Sequence, residues 1–425
     1  MHGVKQPRNP WSDGPEYITQ CAIEPGRNFT YEVIFSDEEG TLWWHAHSDW
    51  ARNSIHGASS YILHLELLIH FLCPMTKKLS YLVRSWYKGD LNLLLMEDII
   101  LGGPLPDSDA HLINGQPGDF CNCSKESTNR WMIDYGKTYM LHIISAMMNA
   151  DVFFAIADHN LTIVGMDGNY LKPTVASYVV ISPGQTMSVL LRANQPLGQY
   201  YMATREYDSS VPSNTDYDKT NATAILEYIG NYTFPSDPIF PSTNLPSFED
   251  FIAADNFLSR LRSLASHDHP SDVPKKHYNP LAASMNNITF VNPNTDILSA
   301  YYWNLSGVYT TDFPNQPFSY YNFTDEDLTI NTASMQGTKV KMLNYNETVE
   351  IIFQGTNIPN TSETHPMHLH GYNFYVVGSG YGNFDPEIDP KGYNLVDPLH
   401  VNTIAIPRNG WDKIINPMFG TTTLP

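Results

Sequence analysis

At 425 residues the chain exceeds what one hydrophobic core usually covers, so two or three domains are expected. Its 30 prolines, 26 glycines and 26 tyrosines, with only 16% charged residues, favour short strands and turns over long helices. The net charge of −20 argues against nucleic acid and anionic membrane surfaces as partners and speaks to solubility rather than mechanism.

Strand signals begin at residues 28–35, which alternate in polarity and end in a turn-like acidic stretch at residues 36–40. Residues 61–85 break the pattern. Their apolar part, residues 61–72, is too short to span a bilayer and reads as a core strand or helix. A short helix is predicted at residues 92–99, then strands at 139–144, 161–164, 177–181 and 187–191, punctuated by Asp167-Gly168 and Pro183-Gly184. Residues 235–246, rich in proline and serine, read as a linker, and 247–267 as a helix. Further strands are predicted at 348–353 and 373–377. Turns spaced about eight to twelve residues apart mark sandwiches or barrels.

The densest chemistry is His365-Pro366-Met367-His368-Leu369-His370-Gly371. A second cluster is His45-Ala46-His47, and His2 opens a third context. Neutral imidazole suits copper, zinc, iron and nickel, and such clusters seldom arise without a metal to hold. On a strand, residues i and i+2 face one side, so His45 and His47 project together, as do His368 and His370. Pro366 redirects the backbone, so His365 can serve one metal while His368 and His370 serve another centre. As core residues the same histidines would each need buried hydrogen-bond partners, a costly arrangement to repeat.

His267-Asp268-His269 is also H-x-H, but it sits in a polar stretch before Pro270 and reads as a solvated loop. The isolated His56, His64, His70, His111, His142, His159, His277 and His400 read as satisfied or exposed residues. A zinc hydrolase would place a carboxylate base beside the cluster, as in H-E-x-x-H, and none stands there.

N-x-S/T sequons at Asn28, Asn122, Asn160, Asn221, Asn231, Asn287, Asn304, Asn322, Asn346 and Asn360 suggest a glycosylated, secreted protein. Residues 1–20 hold no apolar run of the signal-peptide kind. Cys21, Cys73, Cys121 and Cys123 form no zinc-like pair and offer too few disulfide partners for one another. Both observations lead us to expect further segments beyond the two ends.

The motifs quoted above, together with residues 2–14, Tyr17-Ile18-Thr19-Gln20-Cys21, Leu42-Trp43-Trp44-His45-Ala46-His47-Ser48-Asp49-Trp50, Ile113-Asn114-Gly115-Gln116-Pro117-Gly118-Asp119 and residues 306–314, resemble the plant laccases of the multicopper oxidase family. The resemblance implies an all-β chain of three cupredoxin-like Greek-key β-sandwich domains. Their limits would be 1–75 (partial, with type 3 copper ligands and an atypical 61–85), 76–235, and 236–425 (linker and partial third domain). It implies copper of types 1, 2 and 3 as cofactor, phenolic or aromatic amine small molecules and dioxygen as partners, a monomer, and an extracellular, apoplastic location. Carried over by position, His365 matches a type 1 ligand, His368 a type 2 ligand, and His370, His45, His47 and His2 type 3 ligands.

The departures from the family pattern are specific. The first motif, H-W-H-G, is represented only from His2 onward, and the last, H-C-H-x-x-x-H, is not among these residues. That motif supplies the family's type 1 cysteine, which also carries the electron to the cluster, so impaired turnover is expected of this chain. The alternative is a non-catalytic copper-binding remnant, the product of a decayed or misassembled gene. The resemblance also implies that Cys21, and one of Cys121 or Cys123, pair with cysteines outside residues 1–425.

Overall fold

The computed structural model describes residues 1–35, 38–61, 75–101, 106–120, 124, 126–210, 218–233, 237–264, 284–318, 322–324, 334–344, 347–357 and 362–417. Among them strands outnumber α-helices twenty-one to three, so the chain is all-β in class. It gathers into two compact units, one of residues 39–209 and 213–264, the other of residues 1–38, 210–212 and 265–425.

In the first unit, a six-stranded sheet runs in the order Ala110–Ile113, Met75–Trp86, Thr138–Ala146, Thr186–Arg192, Leu161–Met166, Asn169–Ala176. A five-stranded sheet runs Tyr178–Ile181, Asp151–Ile156, Gln199–Tyr207, Asn221–Tyr228, Arg130–Ile133. Most neighbours are antiparallel, but Met75–Trp86 lies parallel to Thr138–Ala146, and Asn221–Tyr228 parallel to Arg130–Ile133. These two parallel pairs make both sheets mixed rather than purely antiparallel. Leu141, Ile143, Phe153, Phe154, Ile163 and Val189 are fully buried, and Asp151–Ile156 is buried on both of its faces.

The strands predicted at 139–144, 161–164, 177–181 and 187–191 all form, extended by two or three residues in three cases and trimmed by one in the other. So does the helix expected near 92–99, as Leu91–Leu101. Residues 75–85 of the atypical stretch belong to a sheet strand, whereas residues 62–74 lie outside the described residues.

Three predictions are corrected. The helix expected at 247–267 is only Phe251–Leu258, with Asp250 accepting from the Ala253 amide at its start. Beyond Leu258 the backbone turns to pair with the edge strand instead, through Lys172 N–H to Arg262 O at 2.8 Å and Leu264 N–H to Tyr170 O at 3.1 Å. The linker is likewise pinned where it is described. Ile239 bonds both Gln199 and Tyr201, bridging in parallel to the interior strand Gln199–Tyr207.

The third correction concerns residues 28–35, which form no strand. Strands need a partner ladder, and here the Glu32 backbone is taken by side chains, Ser12 Oγ accepting its N–H and Asn9 Nδ2 donating to its carbonyl.

In the second unit a four-stranded sheet runs Thr348–Gln354, Gly410–Pro417, Phe374–Tyr381, Leu399–Val401. The strands predicted at 348–353 and 373–377 are thus present. Beside them, His365–His368 pairs antiparallel with Thr403–Ile406. The opening segment is tied in by main-chain bonds, Gln6 N–H to Gly371 O at 3.0 Å and Leu298 N–H to Ile18 O at 2.8 Å. Asp296 caps the helix Ile297–Tyr302 through the Ser299 amide. Among the described residues no helix is long and apolar enough to cross a membrane.

Asp151 begins a core strand with its side chain buried. Burial pushes its carboxyl up from the ordinary 3.8 to about 7, with the charge of Glu206 adding to the rise and a Ser182 hydrogen bond opposing it. The folded carboxyl therefore keeps a proton that the unfolded chain has released, and stability falls as pH rises from 3.8 towards about 7. Urea unfolding across that window should show this fall, and Asp151→Asn should flatten its share of it. An unchanged slope in the variant would refute the assignment.

Candidate metal centre

His45 ends the strand Gly40–His45, which pairs residue for residue with His56–Tyr61 and sets His56 directly opposite it. Leu42 and Trp43 anchor this strand by burial, and Trp43 Nε1 donates to Gly184 O at 2.9 Å. Ala46 N–H donates to Ile55 O at 2.8 Å in the same register, and His47 lies beyond the strand end. The two rings still face one side, 5.8 Å apart between centroids and 24° from parallel. A carbonyl can only accept, so His45 Nδ1, 2.8 Å from Ala46 O, carries the proton and the lone pair sits on Nε2.

In the other unit, His365 and His368 end a four-residue strand and therefore point to opposite faces. His365 is exposed and makes no ring contact with the neighbouring imidazoles. His368 and His370 do meet, edge to face with centroids 4.8 Å apart. Buried His2 lies against His368, the rings stacked at 3.8 Å and 18°. Three of the predicted residues are thus brought together, with His365 held apart on the same ladder.

Second partners orient this group. His368 Nδ1 lies 2.9 Å from Asn402 O and 3.0 Å from Thr403 Oγ1. The Thr403 hydroxyl donates to Asn402 Oδ1, so its oxygen accepts from the ring and His368 keeps its lone pair on Nε2. Asp13 Oδ2 lies 3.2 Å from His370 Nδ1, a carboxylate–imidazole pair of the kind that steers metal-binding rings. The sequence reading named none of Asp13, Asn402 and Thr403 as functional, although Asp13 lies inside the quoted opening motif. Only the fold brings residues 402 and 403 to residue 368.

Several other histidines are occupied by the core. His159 uses both nitrogens, on Ala157 O at 2.6 Å and Tyr228 Oη at 2.7 Å. His142 bonds Thr41 Oγ1 at 2.6 Å, and His111 is fully buried against Glu206 and Asp218. His400 stacks on Tyr375, and burial, aided by the Lys5 charge, lowers its pKa to about 4. His64, His70, His267, His269 and His277 lie outside the described residues, as do Cys73, Cys121 and Cys123.

The donors fit copper chemically, being imidazole nitrogens whose tautomers are set by second partners. Among the described residues no three His, Cys, Asp or Glu side chains aim at one point. The stack gives the reason for His2 and His368, because near-parallel rings hold their in-plane lone pairs side by side rather than convergent.

Comparison with known proteins gives the chain's kinship. Three sequence models, each of multicopper oxidases, match residues 1–64, 78–231 and 306–416. Laccase-21 of Oryza sativa subsp. japonica is 43% identical over 97% of this chain and 76% of its own length. Laccase-14 of Arabidopsis thaliana is 43% identical over 97% of the chain and 75% of its own. Among solved structures, Fet3p, a multicopper oxidase that functions in iron import, superposes with a TM-score of 0.72 at 20% identity, covering 98% of this chain and 74% of its own. The laccase from Botrytis aclada gives 0.69 at 20% identity over 98% and 72%. Those likenesses carry the cupredoxin-like Greek-key fold, and the sequence identities carry the kinship: this chain belongs to the multicopper oxidase family, whose cofactor is copper.

Proposed function

We propose that the chain is a laccase-type oxidase, taking single electrons from phenols or aromatic amines and passing them to dioxygen, which is reduced to water. The observation that carries this reading is the meeting of His2, His368 and His370, with the ring of His368 locked by Asn402 and Thr403. His365 would be the type 1 ligand, His368 the type 2 ligand, and His370, His2, His45 and His47 the type 3 ligands. The proposed domain limits are 1–75, 76–235 and 236–425, which the three matched stretches support.

Copper held there supplies reversible one-electron chemistry, which zinc cannot. The protein's own part is orientation and charge. Nδ1 protons parked on Ala46 O and Asn402 O keep Nε2 as the donor nitrogen of His45 and His368 without any proton having to leave. The Asp13 carboxylate beside His370 steers that ring and compensates positive charge brought to it.

The chain is further proposed to be a monomeric, secreted glycoprotein of the apoplast acting in lignin catabolism, with the ten sequons supporting glycosylation and secretion. No cysteine among residues 1–425 is flanked by histidines, so this stretch by itself is proposed to be impaired in turnover. The same observation favours the second reading, copper binding without catalysis.

Two outcomes are expected. Residues 1–425, purified and loaded with copper, should retain the metal yet lack the intense visible band of thiolate-bound copper and oxidise a methoxyphenol far more slowly than a complete plant laccase, as followed by oxygen uptake. Turnover equal to the complete enzyme would contradict impairment, and failure to retain copper would contradict the site. Thr403→Val, which removes one acceptor from His368 Nδ1, should weaken copper binding about ten-fold in a competitive titration. Unchanged affinity would show that Thr403 does not position the ring.

A further inference from the structure

The six-stranded sheet carries a groove that none of the oxidase chemistry uses. Strand alternation builds it. Leu161, Ile163, Val189 and Leu191 are fully buried on one face, which turns Thr162, Leu190 and Arg192 to the other. Register then sets them side by side, Thr162 opposite Leu190 and Arg192 opposite Thr138. Together with Pro173 on the neighbouring strand they line a groove of about 370 Å³, within the about 300–1,000 Å³ range of small-ligand clefts. Asn194 and Gln195 close one end.

The remaining lining residue is Asn160, exposed immediately before the strand Leu161–Met166. With Leu161 and Thr162 it forms a sequon, so the one residue of the groove open to covalent modification by a sugar is part of its wall. The lining suits a saccharide. Pro173 and Leu190 offer an apolar floor for a sugar's C–H face, while Arg192, Asn194, Gln195 and Thr138 offer donors and acceptors for hydroxyl and acetamido groups.

The other described sequons differ. Asn287 is buried with φ of 64°, and Asn221 lies within a strand with its Oδ1 accepting from Arg205 Nε at 2.9 Å. Asn28, Asn231, Asn304 and Asn322 are exposed but line no part of this groove.

We propose that Asn160 is N-glycosylated and that the groove cradles the first sugars of its own glycan, shielding the sheet's outer face. This rests on the reading of the chain as secreted. The transfer forms a bond from Asn160 Nδ2 to the anomeric carbon of the first sugar. It breaks that carbon's bond to a lipid-linked diphosphate donor, which leaves with the electron pair, and the amide proton goes to the transferring enzyme's base. A cradled glycan is less available to a glycosidase than one extending into solvent, and one or two net hydrogen bonds correspond to about ten-fold protection.

The test is to express the full chain in a eukaryotic secretory host and map glycopeptides by mass spectrometry during digestion with peptide N-glycosidase, native and denatured. Asn160 should be occupied, and in the native chain its glycan should leave about ten-fold more slowly than that on Asn231, with equal rates after denaturation. Arg192→Ala should bring the native rates together while leaving occupancy unchanged. Glycan at Asn231 or Asn28 but none at Asn160 overturns this proposal alone. Equal native release at Asn160 and Asn231 overturns the cradle. No glycan at any sequon overturns the secreted reading and this proposal with it.

Discussion

The short ladder between His365–His368 and Thr403–Ile406 is the constraint on which the candidate site depends. It seats His368 next to Thr403 in register, so the residue that locks the ring is delivered by the same hydrogen bonds that form the strand pair. It separates His365 from His368 by alternation, giving the two imidazoles different surroundings although only two residues lie between them. The turn that follows is fastened by Gln6 N–H on Gly371 O, and the same opening segment brings His2 onto His368 and Asp13 to His370. A few main-chain bonds thus gather groups from residues 2 to 403. None of these side chains could do the work from an unconstrained loop, because an imidazole free to rotate presents either nitrogen to solvent or metal.

Which histidines can serve a metal is decided by how their nitrogens are used rather than by how many lie near each other. His159 has both nitrogens committed within the core, so it is a structural residue. His45 and His368 have Nδ1 committed to a carbonyl, which leaves Nε2 as the basic nitrogen. That criterion is necessary without being sufficient. His56 has the same arrangement on Arg52 O, yet it stands outside both H-x-H clusters. Spacing and tautomer have to agree.

Much of this was legible in the sequence because the relevant patterns are local. Alternation revealed residues 139–144, 161–164 and 187–191, whose inward faces are fully buried, and i, i+2 spacing revealed the paired rings at 45 and 47 and at 368 and 370. Residues 28–35 misled for the complementary reason. They alternate as a strand does, but no ladder meets them, and Ser12 and Asn9 take the Glu32 backbone instead. The helix after Asp250 was overextended because nothing local marks where residues 262–264 leave to bond Tyr170 and Lys172. Asn402 and Thr403 could not be read as site residues, since their role exists only once the fold sets them beside His368. Asp13 was within reach, lying as it does in a motif already recognised, but its contact with His370 spans 357 positions.

Imidazole nitrogens of this chain, His368 foremost, are proposed to hold copper as in the family to which it belongs. X-ray absorption at the copper edge, measured on the loaded full chain and on His368→Gln, tests it most directly. A nitrogen shell with the outer-shell scattering of several imidazoles is expected, with a loss of part of that scattering in the variant. An oxygen-dominated shell without imidazole scattering, or a spectrum indifferent to the substitution, would contradict it.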